Sequence, residues 1–187
     1  MSNLLFTEHK LGPITLRNRA IRSAAFENMA YGNKPSEDLY NYHTAVARGG
    51  AAMTTVAYCS VTRSGVSFDG QLYIHDEIKD DLKRLTDGIH AEGAKASIQL
   101  GHCGNMSHRR YCGCRPVGAS GGFNLYSPTF VHGLKKDEIL EIVKDYGNAQ
   151  FYMENIKGAN SQNDFIAFQV YGINGTKIND PNAVAEG

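Results

Sequence analysis

The segment SIQLGHCGN, Ser97 to Asn105, sets an apolar run directly against Gln99, His102 and Cys103, with glycines at 101 and 104. A glutamine amide is two-sided, one acceptor oxygen beside a donor NH2, so it can read a ring edge that carries both a carbonyl and an N–H. Loop backbone satisfies the same groups, and the pattern alone leaves both readings open. His102 can donate to a carbonyl, accept from a backbone amide or ligate a metal, and an isolated histidine more often serves structure. Ser23, Ala24 and Ala25 carry little side chain. That permits either close approach of backbone to a flat ligand or plain tight packing.

Cys103, Cys112 and Cys114, with His102 and His108, have the donor types that zinc takes. Their spacings of nine and two residues lack the paired C-x-x-C arrangement, so no metal site is expected. Cys59 sits in an uncharged run with no basic partner and reads as a small buried residue rather than a nucleophile. No G-x-G-x-x-G follows a strand, and GHCGNMSHRR lacks the glycine–lysine pair of a phosphate-binding loop. Arg109, Arg110 and Arg115 either solvate their loop or meet an anionic ligand. These patterns identify no catalytic residue.

The elements that must position these residues alternate. Two short strand-like pieces flank the Gly12-Pro13 turn pair, and NRAIRSAAF follows as a buried strand ending in small residues. KPSEDLYNYHTAVARGG has helical spacing at Leu39, Tyr42 and Val46, acidic residues in its first turn and a glycine stop. AAMTTVAYCSV reads as a strand covered on both faces. DEIKDDLKRLTDGIHAEG is a helix with Ile78, Leu82, Leu85 and Ile89 on one stripe, and AKASIQLGHCG is the third strand. Strand–helix alternation implies parallel strands joined by right-handed crossovers, with ligands at the strand C-termini. Ser23, Tyr58, Cys59, Gln99 and His102 fall there. Residues 105–133 read as a long glycine-rich loop over a strand end. KKDEILEIVKDYGNAQFYMENI reads as a helix with Ile139, Ile142, Val143 and Tyr146 as its stripe. Beyond about Ile156 the chain turns rich in Asn and Gly, with a strand candidate at 165–171 and an Asn174-Gly175 pair suited to a hairpin. Residues 1–150 thus form one unit and 151–187 a divergent tail.

Composition excludes several classes. The 19 basic and 19 acidic residues cancel and no basic run stands out, which disfavours nucleic acid as a partner. No apolar stretch approaches the ~20 residues needed to span a bilayer, so no membrane role is expected. The N-terminus lacks a basic region before its short apolar trio, and the four cysteines then suggest free thiols in a reducing compartment. A cytoplasmic location is the expectation.

Three stretches together resemble the old yellow enzyme family of FMN-dependent NADH:flavin oxidoreductases. They are LFTEHKLGPITLRNR, GGAAMTTVAYCSVTRSG and SIQLGHCGN, the last similar to the family's Q-L-x-H-x-G-R segment with Asn105 in place of arginine. The resemblance covers about the first 150 residues. It implies an α/β fold of the (β/α)8 TIM-barrel type with an N-terminal β-hairpin, FMN at the strand C-termini and NAD(P)H as reductant. The implied reaction passes a hydride through the flavin to an electron-poor small-molecule acceptor such as an activated alkene. Carried onto this chain, Ser23, Ala24, Ala25 and Phe26 line the flavin, and Tyr58 stands near its pyrimidine side. Gln99 bonds the pyrimidine edge, and His102 holds the loop beneath it. Phe26 replaces the Thr or Cys that relatives often place against the flavin carbonyl, and a phenyl ring makes no such hydrogen bond.

The family also implies a His/His or His/Asn pair on the fourth strand, and later a proton-donating tyrosine and phosphate-binding loops. This sequence has no histidine after His132, and FIAFQVYG lacks the pair. A complete barrel takes ~250 residues, more than the 187 here, and four strand candidates of the eight correspond to roughly the first half. Half a barrel has open edges that an oligomer or partner subunit would cover. Two other readings compete with the enzyme: an inactive truncated relative that binds flavin weakly or acts as an interaction protein, and a small zinc module on the Cys103–Cys114 loop.

Overall fold

The computed structural model describes residues 4–125, 127–156 and 165–168. The Gly12-Pro13 turn joins β1 (His9–Leu11) to β2 (Ile14–Leu16) in an antiparallel hairpin. Ile14 and Leu16 are buried with Ala52 and Met53, so the hairpin packs against the N-terminal end of the sheet. Arg17 fixes this end: its Nη atoms donate to the carbonyls of Ala47, Ala51 and Glu92 at 2.5–2.8 Å, gathering carbonyls where two helices finish.

Next come β3 (Ile21–Arg22), α1 (Glu37–Arg48), β4 (Met53–Ser60), β5 (Leu72–Tyr73), α2 (Lys79–Ala91) and β6 (Lys95–Gly101). Ser36 caps α1 by accepting from the Leu39 N–H at 3.1 Å, and Glu37 and Asp38 complement the helix dipole. Then follow α3 (Arg109–Cys112), β7 (Val117–Gly118), β8 (Gly122–Asn124), β9 (Thr129–Gly133), α4 (Lys136–Ile156) and β10 (Phe165–Phe168). The main sheet is parallel in the order β10–β6–β4–β3, with β5 alongside the end of β4. β3, β4, β6 and β10 therefore stand side by side in chain order, as the alternation requires. Among the described residues the sheet does not close, and β3 and β10 are its edges.

One face of this sheet meets the helices. Leu39 of α1, Leu82, Leu85 and Ile89 of α2, and Ala149 and Met153 of α4 bury against Val56, Ile98 and Leu100. On β6, Ser97 and Gln99 alternate with these apolar residues and so face the other way, where Thr55 Oγ1 and Ser97 Oγ bond at 2.6 Å.

Three expectations need correction. The first strand is two residues long, and Ile21 is 44% exposed because it stands at the sheet edge rather than between neighbours. Residues 105–133 are not an open loop: β7, β9 and β8 form a three-stranded sheet in that order, built from segments too short to show a period. The stripe on α4 is only partly a core face. Ile139 and Val143 are exposed, whereas Tyr146, Ala149 and Met153 pack, because only the C-terminal half of α4 reaches the core beside α2. The strand candidate at 165–171 is β10 over 165–168; its remainder and the Asn174-Gly175 pair lie outside the described residues.

Candidate functional site

Ser23 to Phe26, Tyr58, Gln99 and His102 all lie at the C-terminal ends of β3, β4 and β6. Ser23 and Ala25 are exposed and Ala24 half-buried just past β3, and Phe26 keeps 36% of its surface open. The Phe26 ring lies 5.5 Å from Tyr58 and 5.1 Å from Phe68, centroid to centroid, making an aromatic group at the rim. Tyr58 is half-buried, with its hydroxyl 2.8 Å from Cys103 Sγ. Gln99 is half-buried on the face away from the helices, and no described residue hydrogen-bonds its side chain. A two-sided amide near a strand end that no described residue engages is suited to a ligand edge.

A register slip in β4 explains how Tyr58 reaches this place. Val56 pairs with Ile98 but Cys59 with Leu100, so β4 carries one extra residue there. Such a bulge re-aims side chains and takes backbone groups out of the ladder. The displaced Ala57 N–H finds Glu27, whose Oε2 and Oε1 accept it at 3.0 and 3.3 Å. The same carboxylate accepts from Arg22 Nη1 at 2.5 Å, with only 3% of the Glu27 side chain exposed. Arg22 also donates to the carbonyls of Thr55 and, at 2.9 Å, Ala25. His43 Nε2 stands 3.4 Å from Glu27 Oε1, and its Nδ1 is 2.7 Å from Thr54 Oγ1. Arg22, Glu27 and Ala57 thus form a buried brace that ties the Ser23–Phe26 turn to the Tyr58 bulge. Sequence reasoning missed this brace; its signal was an arginine and a glutamate bracketing four small or aromatic residues at a strand end.

His102 spends both ring nitrogens inside the chain. Nδ1 accepts the Gly104 N–H at 3.0 Å, which leaves the proton on Nε2 to donate to Ser64 Oγ at 3.1 Å. Burial pushes its pKa down to about 4, so the ring is neutral at physiological pH. It therefore shapes the loop rather than offering a free nitrogen. The neighbouring turn needs glycine at 65, since a Cβ there would stand 2.8 Å from the His102 ring and press on Ser60 Oγ. Tyr146 of α4 reaches the His102 backbone, and burial beside Cys103 pushes its hydroxyl up to about 12. Gln71, fully buried, was also missed. Its Oε1 accepts the Ser67 N–H at 2.8 Å, while Ser67 Oγ donates to the Met106 carbonyl at 2.6 Å, fastening two rim turns together.

The remaining candidates separate from this group. Cys59 is buried, and burial raises its thiol far above the ordinary range. Arg115 donates to the Phe130 and Val131 carbonyls at 3.2 Å, so it holds β9. Among the described residues, no three His, Cys, Asp or Glu side chains are grouped to hold a metal. No helix of the described residues is long and apolar enough to cross a membrane.

Parallel strands set side by side with helices on one face, and Gln99 near their C-terminal rim, make an open part of an α/β sheet. Residues 4–159 match the NADH:flavin oxidoreductase / NADH oxidase family, and the chain belongs to it. It is 39% identical over 142 residues to the 4,4'-dithiodibutanoate disulfide reductase of Rhodococcus erythropolis, covering 76% of this chain and 35% of that protein. Among solved structures, morphinone reductase in complex with tetrahydroNAD superposes with a TM-score of 0.75 at 22% identity, over 88% of this chain and 48% of the other. The old yellow enzyme from Pichia sp. AKU4542 gives 0.79 at 17% identity, over 89% and 46%. The chain therefore has the fold of roughly the first half of a (β/α)8 barrel, and it spans about a third of the length of the Rhodococcus relative. The family binds FMN and its members use NAD(P)H as reductant. The Gln99 amide, which no described residue engages, and the small residues at 23–25 fit a flat heterocycle with a polar edge.

Proposed function

We propose that this chain supplies the N-terminal half of an FMN-dependent oxidoreductase, taking hydride from NAD(P)H and delivering it to an electron-poor small molecule such as an activated alkene. The Gln99 amide carries this reading: it is oriented at a strand terminus, on the face opposite the helices, and no described residue uses it. In this proposal Gln99 bonds the pyrimidine edge of FMN, and Ser23, Ala24, Ala25 and Phe26 lie along the ring. Tyr58 stands at the pyrimidine side and His102 holds the loop below. Bound FMN supplies a two-electron carrier between nicotinamide and acceptor. The protein's own part is to position: the Arg22–Glu27 brace sets the Ser23–Phe26 turn and the Tyr58 bulge, and the neutral His102 fixes the turn after β6. The unit at 1–150 carries this half-site, 151–187 form a divergent tail, and an oligomer or partner subunit covers the open edges in the cytoplasm.

The competing reading, an inactive relative that binds flavin weakly or acts through its edges, draws on the same open sheet. Visible absorbance of the purified chain, followed by NADH or NADPH under anaerobic conditions, tests both. A yellow protein that bleaches supports the oxidoreductase. A yellow protein that does not bleach supports the inactive flavin binder, and a colourless protein after incubation with FMN refutes the flavin site.

A further inference from the structure

Cys112 and Cys114 take no part in the flavin half-site. Cys112 ends α3, and Gly113 follows at φ +73, a backbone conformation that glycine adopts without strain. That turn folds Cys114 back over the helix end, and the two sulfurs lie 3.7 Å apart. Cys112 Sγ also donates to the Cys114 carbonyl at 3.2 Å, which holds the turn closed. Cys112 is 3% exposed and Cys114 half-buried, so the pair opens to solvent on one side. The Arg63 guanidinium lies over Gly113, 3.7 Å from where a Cβ would stand, and places a cation beside the sulfurs.

Two sulfurs bonded to one centre at about 2.3 Å stand about 3.8 Å apart at a tetrahedral angle and about 3.3–3.5 Å apart at the narrower angle of a pyramidal trivalent centre, so 3.7 Å needs only a few tenths of an ångström of closure. The pair thus already has a chelating separation. No third ligand joins it among the described residues, so it does not make a four-ligand zinc site. It suits a centre that needs two sulfurs and brings its own remaining substituent.

We propose that Cys112 and Cys114 form a dithiol chelate for thiophilic trivalent metalloids of the organoarsenical class. The step is a condensation: the arsenic–oxygen double bond of R–As=O breaks and two As–S bonds form. Both thiol protons leave with the oxygen as water, and arsenic stays trivalent. Burial and the contact with Cys112 hold Cys114 up at about 11, so it arrives as the thiol and the departing oxygen takes its proton.

The test is titration of the full chain with phenylarsine oxide, followed by alkylation and tryptic mass mapping. The peptide from Tyr111 to Lys135 contains Cys112 and Cys114 and neither Cys59 nor Cys103, because the Arg115-Pro116 bond resists trypsin. One equivalent should consume two of the four thiols and protect that peptide alone. C112S and C114S should each retain the arsenical on the order of 100-fold less tightly, since the second thiol then no longer binds intramolecularly, whereas C103A should match the native chain. Full alkylation of the Tyr111–Lys135 peptide in the native protein, protection of Cys103 in its place, or undiminished retention by C114S overturns the proposal.

Discussion

Replacing Glu27 by alanine should be among the most destabilising single changes in this chain. The carboxylate is 3% exposed and receives the Arg22 guanidinium and the Ala57 N–H at once. Without it, Arg22 keeps its bonds to the Thr55 and Ala25 carbonyls but loses its counter-charge in a site only 15% exposed. A lost charge-assisted bond costs about 1.5–3 kcal/mol, and an amide left unpaired at the bulge another 1–3 or so. The sum, about 2.5–6 kcal/mol, brackets the roughly 3–5 kcal/mol expected for orphaning one member of a buried pair. Glu27→Gln keeps an acceptor for Ala57 and forfeits only the charge, so about 1–3 kcal/mol is expected. Urea unfolding followed by far-ultraviolet circular dichroism reads both, tryptophan being absent. With a slope near 2 kcal/mol/M, the alanine variant should lose roughly 1.5–2.5 M in midpoint. A loss below about 1 kcal/mol in the alanine variant, or equal losses in both variants, would refute the brace.

Three further outcomes are expected. Gln99→Ala should weaken FMN binding by about 1–3 kcal/mol, read by flavin fluorescence titration, and unchanged affinity would return the amide to loop structure. His102 has its folded pKa depressed from 6.5 to about 4, so its stabilisation is complete above pH 6.5 and drains away as the unfolded chain takes up the proton on the way down to pH 4. The native protein should therefore lose on the order of 3 kcal/mol more than His102→Gln over that range in denaturant titrations at successive pH values, and parallel curves would contradict the burial argument. Leu85→Ala, at 1% exposure between α2 and the sheet, should cost about 2–5 kcal/mol and lower Tm by roughly 5–15 °C. Val143→Ala, at 57% exposure, should stay within about 0.5 kcal/mol. A comparable loss at both positions would show that the α4 stripe is core after all.

Much of the fold was legible because its causes are local. Ser36 with the acidic pair after it starts α1, the Leu82–Leu85–Ile89 stripe draws α2 onto the sheet, and the uncharged run at 53–60 is a strand buried on both faces. The positions of Gln99, Tyr58 and Ser23 at strand ends also followed from the alternation, since parallel crossovers bring C-termini to one side. The small sheet at 117–133 was not legible, because strands of two to five residues carry too little pattern to separate from loop.

What the sequence alone determined, then, is the order of elements and the residue types delivered to the strand ends, both set by periodicity over a few turns or pleats. The tertiary structure decided what those residues do. Only the one-residue slip between β4 and β6 frees the Ala57 N–H, and only the closeness of β3 to β4 lets Glu27 take it together with Arg22. His102 became a neutral loop pin because Ser64, 38 positions away in sequence, folds back against its Nε2. Exposure of Ile139 and Val143 depended on how far α4 overlaps its neighbour, a matter of element placement that a helical stripe cannot express.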